Sequence, residues 1–348
     1  MNKTFGINGF GRIGRNALRV WWQYHRQAIE LKAVNTSGSM DLAGWAHLLK
    51  YDSHYGVFPG EITFTEHQTK DEVSDADPIL GTISIDGYVL TVTAQRSPDK
   101  IPWSNLGVEV VVESTGAFNK EEKASLHFAG GAKKVLISAP DKGGDFAVTV
   151  LGVNEVNSDK KLHSSASCTT NCVAPVTKII NDNFGIEKAL LTTVHAYTDD
   201  QNLQDNSHKD LRRARGAAEN IVPTSTGAAK AVSKVIPELK GIFDGLAIRV
   251  PTSTGSLSDI TFVTKKDVTV EEVNEALTKA ANNTEWQGIL AVTNEPIVSS
   301  DIVGRRESSI VDLQLTQVIG GNLLKIVSWY DNEWGYSNRL IETAVKIS

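Results

Sequence analysis

The glycine-rich run GFGRIG, residues 9–14, constrains the fold of this chain more than any other stretch. It follows the apolar residues 4–8 and precedes an amphipathic segment, residues 12–27. Glycines at this spacing allow a tight strand-to-helix turn and let a pyrophosphate approach the helix N-terminus. The run therefore predicts a dinucleotide site, while a glycine-rich turn that holds no ligand remains the alternative interpretation.

Apolar strand-like stretches alternate with helical stretches through the first part of the chain. Their nearly continuous apolarity is typical of parallel strands buried on both faces. The alternation predicts an α/β fold with a doubly wound parallel sheet of the Rossmann type. An Asp86-Gly87 pair between alternating residues predicts a hairpin within it. The predicted strands are residues 4–9, 30–34, 108–115 and 133–140, and the predicted helices are residues 12–27 and 119–132.

The pattern changes near residue 165, where a predicted helix, residues 172–185, is followed by long β-rich segments. Long strands that outnumber helices predict a second, α+β catalytic domain on a mixed or antiparallel sheet. We expect a dinucleotide-binding domain over 1–167, with the C-terminal helix 332–348 packing back on it, and a catalytic domain over 168–331. The polar stretch 199–227 reads as a loop, and loops of that length are usually functional.

Composition excludes several classes of partner. The net charge of -6 over 348 residues gives no basic field, so we expect no nucleic-acid partner. No apolar run approaches the ~18 residues of a membrane span, so we expect no membrane association. The first strand begins almost at residue 1, which leaves no room for a signal peptide and favours a cytoplasmic location.

The chain has two cysteines, Cys168 and Cys172, one helical turn apart. That placement predicts free thiols, with neither a disulfide nor a metal site. Cys168 lies just before the predicted helix, whose free amides and dipole favour a thiolate, so it is the candidate nucleophile. Cys172, beside Val173 and Ala174, reads as a small buried hydrophobic residue.

Two further residues are candidates for the same site. His195 ends an apolar strand-like stretch beside polar residues and is the candidate base, although one of eight histidines could equally be structural. Arg249 lies inside the apolar stretch GLAIRVP and needs a partner there, such as a phosphate. The basic cluster KDLRRAR, residues 209–215, reads mainly as a solvated face.

Five motifs in order, SASCTTNC, the His195 strand, HKDLRRAR, PTSTGAAKAV and SWYDNEWGYSNR, resemble the phosphorylating glyceraldehyde-3-phosphate dehydrogenase family over essentially the whole chain. The resemblance implies that Cys168 attacks the aldehyde carbon and that His195 takes the proton. Hydride transfer to NADP or NAD would then leave a thioester, which inorganic phosphate converts to 1,3-bisphosphoglycerate. It also implies a homotetramer, in which the loop from about Asp200 to Thr224 reaches a neighbouring subunit's cofactor.

The same resemblance assigns the remaining site residues. The phosphate-binding residues it implies are Ser167, Thr169, Thr198, Asp200, Arg213, Thr226, Gly227 and Arg249. The cofactor-binding residues are Gly9, Gly11, Arg12, Ile13, Gly14, Asn35, Thr36, Ser37, Arg96, Ser114, Thr115, Ser138, Ser207, Asn332 and Tyr336, with Asn332 holding the nicotinamide carboxamide.

Two departures from the family pattern concern the choice of dinucleotide. Relatives that use NAD carry Asp after the Asn that ends the second strand, where this chain has Thr36. They often read Leu-Pro before HKD, where this chain has Asn206 and Ser207. Loss of the carboxylate removes repulsion of a 2′-phosphate, so we expect NADP to be accepted, alone or together with NAD. No arginine in residues 35–44 offers a clamp, and NAD binding slightly weakened by Thr36 is the alternative.

Two rival functions remain at this point. An erythrose-4-phosphate dehydrogenase would have the same cysteine and histidine. A redox sensor or binding scaffold would have lost turnover, against which the presence of Cys168, His195, Arg213 and Arg249 counts. The sequence leaves open whether the enzyme runs in glycolysis or toward the aldehyde in gluconeogenesis or carbon fixation.

Overall fold

The computed structural model describes residues 3–348, which form two compact units. The first unit contains the described residues up to Thr149, together with Val156–Ser165 and Ser337–Ser348. The second unit contains Val150–Glu155 and Ala166–Tyr336. Each unit is built on its own large sheet.

Most strands of the first unit are short and buried, as continuous apolar stretches require. In β1, Phe5 and Ile7 are fully buried. The strands are β1 (Thr4–Asn8), β2 (Glu30–Asn35), β3 (Tyr51–Asp52), β4 (Gly56–Val57), β5 (Ile62–Glu66), β6 (Ile79–Ile85), β7 (Tyr88–Thr93), β8 (Val110–Glu113), β9 (Lys134–Ile137), β10 (Ala147–Val148) and β11 (Leu162–Ser164). The helices are α1 (Arg12–Val20), α2 (Leu42–Lys50) and α3 (Glu121–Ala124), and the C-terminal helix α7 (Trp334–Ile347) enters this unit at Ser337.

Within residues 3–348, nine strands form one sheet in the order β10-β11-β9-β8-β1-β2-β7-β6-β5. The pairs of β1 with β2 and β8, and of β9 with β8 and β11, are parallel, which confirms the predicted doubly wound sheet. From β1 the chain first adds β2 on one side and later adds β8 on the other side, so the direction of strand addition reverses between β1 and β8. In open α/β sheets, ligands bind at the carboxyl ends of the strands beside such a switch point.

The predicted hairpin is confirmed, whereas two helix predictions need correction. Strands β6 and β7 pair through Asp86 and Gly87, both with positive φ. The helix predicted over 119–132 is reduced to α3 and a 3₁₀ turn, Ser125–Phe128. Its glycines serve close packing instead, because a Cβ on Gly130 would lie 2.1 Å from the carbonyl oxygen of Ile101.

The segment predicted as one helix over 12–27 also differs. The α-helix ends at Val20 and continues as a π-helical turn, Trp21–His25, which accommodates two adjacent buried indoles. Helix α2 was not predicted, although its buried residues at 42, 45, 46 and 49 have helical spacing.

The second unit is an α+β domain on a mixed sheet, as predicted. Its strands follow the order β13-β14-β12-β15-β19-β17-β16, with β18 on β19. Strands β12 and β14 are parallel, whereas β15 is antiparallel to both β12 and β19. The strands are β12 (Ile186–Ala196), β13 (Val222–Ser225), β14 (Phe243–Val250), β15 (Ser256–Thr264), β16 (Leu290–Thr293), β17 (Ser309–Asp312), β18 (Gln317–Ile319) and β19 (Leu323–Tyr330), and the helices are α4 (Cys168–Phe184), α5 (Ala228–Val235) and α6 (Val270–Ala281).

Burial alternates along the strands of this second sheet. On β12, Leu191, Thr193 and His195 are buried, whereas Leu190 is exposed. Helix α4 contacts β12, β15, β17 and β19, and α5 contacts β14. One face of the sheet is thus covered by helices, and that face carries His195.

Candidate active site and cofactor turn

Cys168 is the first residue of α4, four residues earlier than the sequence placed the helix start. Ser167 caps the helix, because its Oγ accepts the backbone N–H of Thr170 at 3.0 Å. The preceding residue, Ala166, has φ of +53°, and its carbonyl accepts the hydroxyl of Tyr336 at 3.0 Å. Cap and tyrosine together fix the chain immediately before the nucleophile.

Cys168 and His195 form the predicted pair. The Sγ of Cys168 lies 3.4 Å from Nε2 of His195. Nδ1 of the same ring lies 2.7 Å from the carbonyl oxygen of Ala196 and 3.2 Å from Nη1 of Arg249. The carbonyl contact is the shorter one, and a carbonyl can only accept a hydrogen bond. The hydrogen therefore sits on Nδ1, and the lone pair of Nε2 faces the thiol and is ready to take its proton.

Arg249 stands directly beside this pair because β12 and β14 are parallel neighbours. Their register places Arg249 opposite His195. Its Nη1 donates to the carbonyl oxygen of Ala196 at 3.2 Å and to Oγ1 of Thr198 at 2.8 Å. The protein thus supplies two hydrogen-bond acceptors to the Arg249 guanidinium. The positive charge of Arg249 lies beside Cys168 and His195.

Burial controls the protonation of the pair. Desolvation raises the pKa of the half-buried Cys168 thiol, and the lowering effects of Arg249 and of a hydrogen bond from Thr169 do not outweigh it. Burial and the charge of Arg249 lower the pKa of His195 to about 3. The resting pair is therefore a neutral thiol and a neutral imidazole. Desolvation thus acts against the thiolate that the helix start alone favours.

A chain of polar contacts continues from Arg249 toward β13. Oγ1 of Thr198 donates to Asp200, which also accepts Nη1 of Arg213. Burial acts to raise the pKa of Asp200, but the Thr198 hydroxyl, Arg249 and Arg213 together lower it. Arg213 also donates from Nε to Thr224 Oγ1 at 2.8 Å. Four predicted phosphate-binding residues are thus joined in one cluster beside the pair.

The other predicted phosphate-binding residues lie in different surroundings. Gly227 precedes α5, and a Cβ built on it would meet no atom within 4 Å, so this helix start is open. Thr226 next to it accepts the backbone N–H of Ala228 at 3.2 Å. No hydrogen bond within residues 3–348 joins Thr226 or Gly227 to Cys168. Ser167 is the helix cap, and its Oγ also lies 2.7 Å from Thr170 Oγ1.

Sequence reasoning missed Tyr330, the last residue of β19. Its hydroxyl lies 2.9 Å from Oγ1 of both Thr169 and Thr193, and its ring packs edge-on against His195. Thr169 is therefore buried against this tyrosine. Burial raises the pKa of Tyr330, so the phenol stays protonated. Its place in the SWYD motif at a strand end was the available signal.

The glycine turn after β1 has the space that a dinucleotide needs. Gly9 has φ of +94°, and a Cβ on Gly14 would lie 2.0 Å from the carbonyl oxygen of Gly9, so helix and turn pack closely. A Cβ on Gly11, in contrast, would meet no atom within 4 Å. The buried Oγ of Ser114, at the end of β8, has no hydrogen-bond partner. An open glycine at a helix start and an unsatisfied hydroxyl at the switch point fit a bound pyrophosphate and its sugars.

The residues expected around the ribose are arranged unequally. Asn35 and Thr36 are buried, and the Thr36 hydroxyl donates to the carbonyl oxygen of Thr93 at 3.2 Å. Ser37 is exposed, with its Oγ 2.9 Å from Oγ of Ser39. The accessible hydroxyls at the end of β2 are therefore those of the two serines.

The remaining predicted cofactor residues are dispersed within their units. Arg12 pairs with Asp52 at 2.5 Å, and Ile13 follows it in α1. Thr115, Arg96 and Ser207 are exposed, and the backbone N–H of Ser138 is bonded to the carbonyl oxygen of Glu113.

Asn332 has its amide orientation fixed. Its Oδ1 accepts the backbone N–H of Gly255 at 3.1 Å and the hydroxyl of Ser256 at 2.9 Å. The two donors require oxygen at that position, which leaves Nδ2 as a donor toward a ligand carbonyl.

Residues 3–348 contain no group of three or more His, Cys, Asp or Glu side chains placed to hold a metal ion. No helix among them is long and apolar enough to span a bilayer.

A dinucleotide-binding sheet and a cysteine–histidine pair beside two arginines define a class, the NAD(P)-dependent oxidoreductases that act on an aldehyde group. Comparison with known proteins narrows the class. Residues 3–121 match the family described as glyceraldehyde 3-phosphate dehydrogenase, NAD binding domain, and residues 167–332 match its C-terminal domain. This chain belongs to the glyceraldehyde-3-phosphate dehydrogenase family.

Individual relatives agree over nearly the full length. A glyceraldehyde-3-phosphate dehydrogenase of Streptomyces coelicolor is 52% identical over 99% of this chain and 98% of its own. One from Zymomonas mobilis is 48% identical over 98% of this chain and 97% of its own. The chloroplastic GAPB of Arabidopsis thaliana is 48% identical over 97% of this chain and 73% of its own.

Proposed function

We propose that this enzyme catalyses the phosphorylating oxidation of D-glyceraldehyde 3-phosphate to 1,3-bisphosphoglycerate through a thioester on Cys168. The observation that carries the proposal is the 3.4 Å contact between Cys168 Sγ and His195 Nε2, with Arg249 beside it. A nucleophile, a base of the right tautomer and a cationic group are the components that covalent aldehyde oxidation requires.

The neutral pair sets the order of the first step. His195 Nε2 takes the thiol proton as Sγ attacks the aldehyde carbon, and returns it to the oxygen of the resulting hemithioacetal. A dinucleotide bound at the glycine turn would supply the hydride acceptor. Nε2 removes the hydroxyl proton as the hydride leaves, and a thioester remains on Cys168.

The cationic cluster serves the phosphate groups. Arg249 and Thr198 bind the phosphate of the substrate, which displaces part of the internal pairing with Asp200. Arg213 lies between that group and β13, where Thr226 and Gly227 receive inorganic phosphate at the open start of α5. Attack of phosphate on the thioester carbon expels the Cys168 thiolate, which recovers its proton from His195.

The two cysteines provide a matched test. Cys168→Ala should abolish turnover, and intact mass spectrometry without phosphate should find an acyl adduct on the wild-type protein that disappears when phosphate is added. Cys172, buried near Ser309 and Ser328, should be replaceable by alanine with activity retained. A product formed without phosphate dependence would overturn the mechanism, as would an adduct that persists in Cys168→Ala and is lost in Cys172→Ala.

Substrate choice is tested in the same assay. We propose the three-carbon sugar phosphate, supported by the names of the relatives over the full chain. A higher kcat/KM for erythrose 4-phosphate would support the rival dehydrogenase instead. Absence of an acyl phosphate with either sugar would favour a sensor or scaffold.

We also propose that NADP is accepted together with NAD. No carboxylate stands after Asn35 to repel a 2′-phosphate, and the exposed Ser37 and Ser39 hydroxyls offer donors to it. Thr36 acts here mainly by its lack of charge, since its hydroxyl is bonded within the protein. Ser207, on the exposed polar loop, is the proposed donor from a neighbouring subunit.

The decisive measurement compares kcat/KM for NAD and NADP at identical salt. Thr36→Asp should shift the ratio toward NAD by at least about tenfold, or ~1.4 kcal/mol of transition-state binding. Thr36→Asn, which is uncharged, is the matched control and should shift it much less. A wild-type preference for NAD by several orders of magnitude would contradict dual use.

We propose a homotetramer as the working form. The sheet of the second unit leaves Leu190 and Leu246 exposed on its face without helices, and residues 197–221 form no regular element. Both surfaces suit contacts with further copies of the chain. The cytoplasmic location and the metabolic direction stay predictions.

A further inference from the structure

A polar network lies at the switch point between β1 and β8, and all of its members except Thr115 are buried. We call it the switch-point network. It consists of hydrogen-bonded side chains of the first unit. They belong to the strands β1, β2, β7 and β8 and to the segments that follow β7, β8 and α3. Its members are Thr93, Asn35, Asn8, Glu113, Thr115, His127 and Trp103.

One end of the network is fixed by backbone groups. The Asn35 Oδ1 accepts the backbone N–H of Gln95 at 2.9 Å, and its Nδ2 donates to the carbonyl oxygen of Gln95 at 2.7 Å. Because backbone polarity cannot change, the amide cannot flip. The second hydrogen on Nδ2 goes to Asn8 Oδ1 at 2.7 Å, so Asn8 must present its own Nδ2 to Glu113.

The other end is fixed by an indole. Trp103 Nε1 can only donate, and it lies 3.0 Å from Nδ1 of His127. Nδ1 must therefore be an acceptor, so the hydrogen of this imidazole is on Nε2, which lies 3.0 Å from Glu113 Oε2. Donors thus converge on Glu113 from both directions.

Glu113 accepts at both of its oxygens. Oε2 receives Asn8 and His127, and Oε1 receives the backbone N–H of Thr115 at 2.7 Å and the Thr115 hydroxyl. Four donors satisfy the four lone-pair positions of a carboxylate. Every hydrogen-bonding position of the Asn35 amide is also used, by Thr93, Gln95 and Asn8. Neither side chain has capacity left for a ligand.

The network nevertheless touches the cofactor turn directly. The backbone N–H of Gly9 donates to the carbonyl oxygen of Asn35 at 3.0 Å, and that of Ser114 donates to the carbonyl oxygen of Asn8 at 2.7 Å. A Cβ on Gly9 would lie 2.8 Å from the backbone nitrogen of Thr115, so the turn packs against this residue. A shift of Thr115 or Asn35 must therefore move the glycine turn.

We propose that Glu113 is a positioning residue for dinucleotide binding. Acting through Asn8, Asn35 and Thr115, it holds the carboxyl ends of β1, β2 and β8 in the arrangement that receives the cofactor. It contacts no reactant, so it governs the affinity for the dinucleotide and leaves the chemical step unaffected. The proposal holds for NAD and for NADP, because the network packs against the glycine turn, where both dinucleotides would bind their pyrophosphate.

Glu113→Gln tests this with almost no change of shape. In either orientation, the Gln amide must point an N–H group at existing donors, either Asn8 and His127 or Thr115, and the fixed ends prevent reversal of the chain. We expect the dissociation constant of NAD, measured by calorimetry on the full-length protein, to rise at least tenfold. KM for the dinucleotide should rise in parallel, whereas kcat at saturating dinucleotide and KM for the aldehyde should stay within twofold.

A milder pair of variants covers the case in which Glu113→Gln does not fold. Thr93→Val removes only the hydroxyl that donates to Asn35 Oδ1 at 2.8 Å, and we expect about a threefold rise in the dissociation constant of NAD. Thr149→Val is the matched control in the same unit, because the equally buried Thr149 hydroxyl has no hydrogen-bond partner. It should leave NAD binding unchanged.

A purely structural role gives a different result. Unchanged NAD affinity in Glu113→Gln with only a lower melting temperature would overturn the proposal, as would equal effects of Thr93→Val and Thr149→Val. A fall in kcat at saturating dinucleotide, with affinity intact, would overturn it too. Nitrogen NMR of His127 gives an independent check, since the network requires the hydrogen on Nε2.

Discussion

At the scale of single residues, the active site is governed by desolvation as much as by its charges. Desolvation favours the neutral form of both Cys168 and His195; the charge of Arg249 adds to this effect at His195 and opposes it at Cys168. A neutral imidazole is the form that can accept a proton from a thiol. The proton transfer from Cys168 to His195 is therefore expected to accompany the attack of Sγ on the aldehyde carbon. The buried histidine therefore has consequences for stability as well as for catalysis.

Because of His195, the free energy of unfolding should decrease as the pH is lowered. Its pKa is lowered to about 3 in the folded protein, against an ordinary value of about 6.5, so the unfolded chain binds an extra proton between these limits. Its contribution is complete above about pH 6.5 and is lost progressively as the pH falls toward 3. From pH 7 to pH 5 the expected loss is about 2 kcal/mol.

The comparison with His195→Asn isolates this contribution from those of the carboxylates. Urea unfolding of the wild type and the variant at pH 7 and pH 5 measures both losses, and the wild type should lose about 2 kcal/mol more. Parallel pH dependences for the two proteins would mean that His195 titrates normally in the folded state.

At the scale of elements, parallel register is what unites residues that are distant in sequence. His195 and Arg249 lie on separate predicted strands, and the sequence marked each as a candidate with no means of placing them side by side. Their adjacency follows from the pairing of β12 with β14, which local patterns do not encode. The same limit applies to Tyr330, whose hydroxyl meets Thr169 and Thr193 only in the folded sheet.

Local signals were nonetheless sufficient for much of the fold. Continuous apolar stretches predict buried parallel strands, because such strands are covered on both faces. The Ser and Thr residues beside Cys168 place it near a helix start. The helix over 119–132 was overestimated because Gly130 serves a tertiary contact with Ile101. The sequence shows the helix start that favours a thiolate at Cys168, but it does not show the desolvation that opposes it, because desolvation depends on the whole fold.

Two helix caps separate local stability from function. The side chains of Ser167 on α4 and Thr269 on α6 each accept a backbone N–H of the first helical turn. Replacing either by alanine should lower the free energy of unfolding by about 1 kcal/mol. Only Ser167→Ala should also reduce kcat/KM, because only α4 carries the nucleophile. Equal loss of activity in both variants would show that general destabilisation is responsible.

At the scale of the whole molecule, the exposed face of the sheet in the second unit predicts a contact between subunits. Leu190 and Leu246 are 66% and 44% exposed on the two neighbouring strands β12 and β14. Burial of such side chains between subunits would stabilise an oligomer by roughly 25 cal/mol per Å² of apolar surface.

A charged pair on this face should prevent assembly. The double variant Leu190→Lys, Leu246→Lys should have a lower mass in light scattering than the wild type. Val57→Lys, at a 62% exposed position in the first unit, is the control and should leave the mass unchanged. An unaltered mass in the double variant would place the subunit contacts elsewhere.

Gly11 and Gly14 of the turn are required for different reasons: Gly14 for the packing of the fold and Gly11 for the binding of the ligand. A methyl group on residue 14 would collide with the backbone at 2.0 Å, but one on residue 11 would extend into open space. Gly11→Ala should therefore give a protein that melts as the wild type does yet binds NAD poorly, because the added carbon occupies the place of the pyrophosphate. Such a protein would be intact but largely free of cofactor, which would show how the folded enzyme behaves without a dinucleotide.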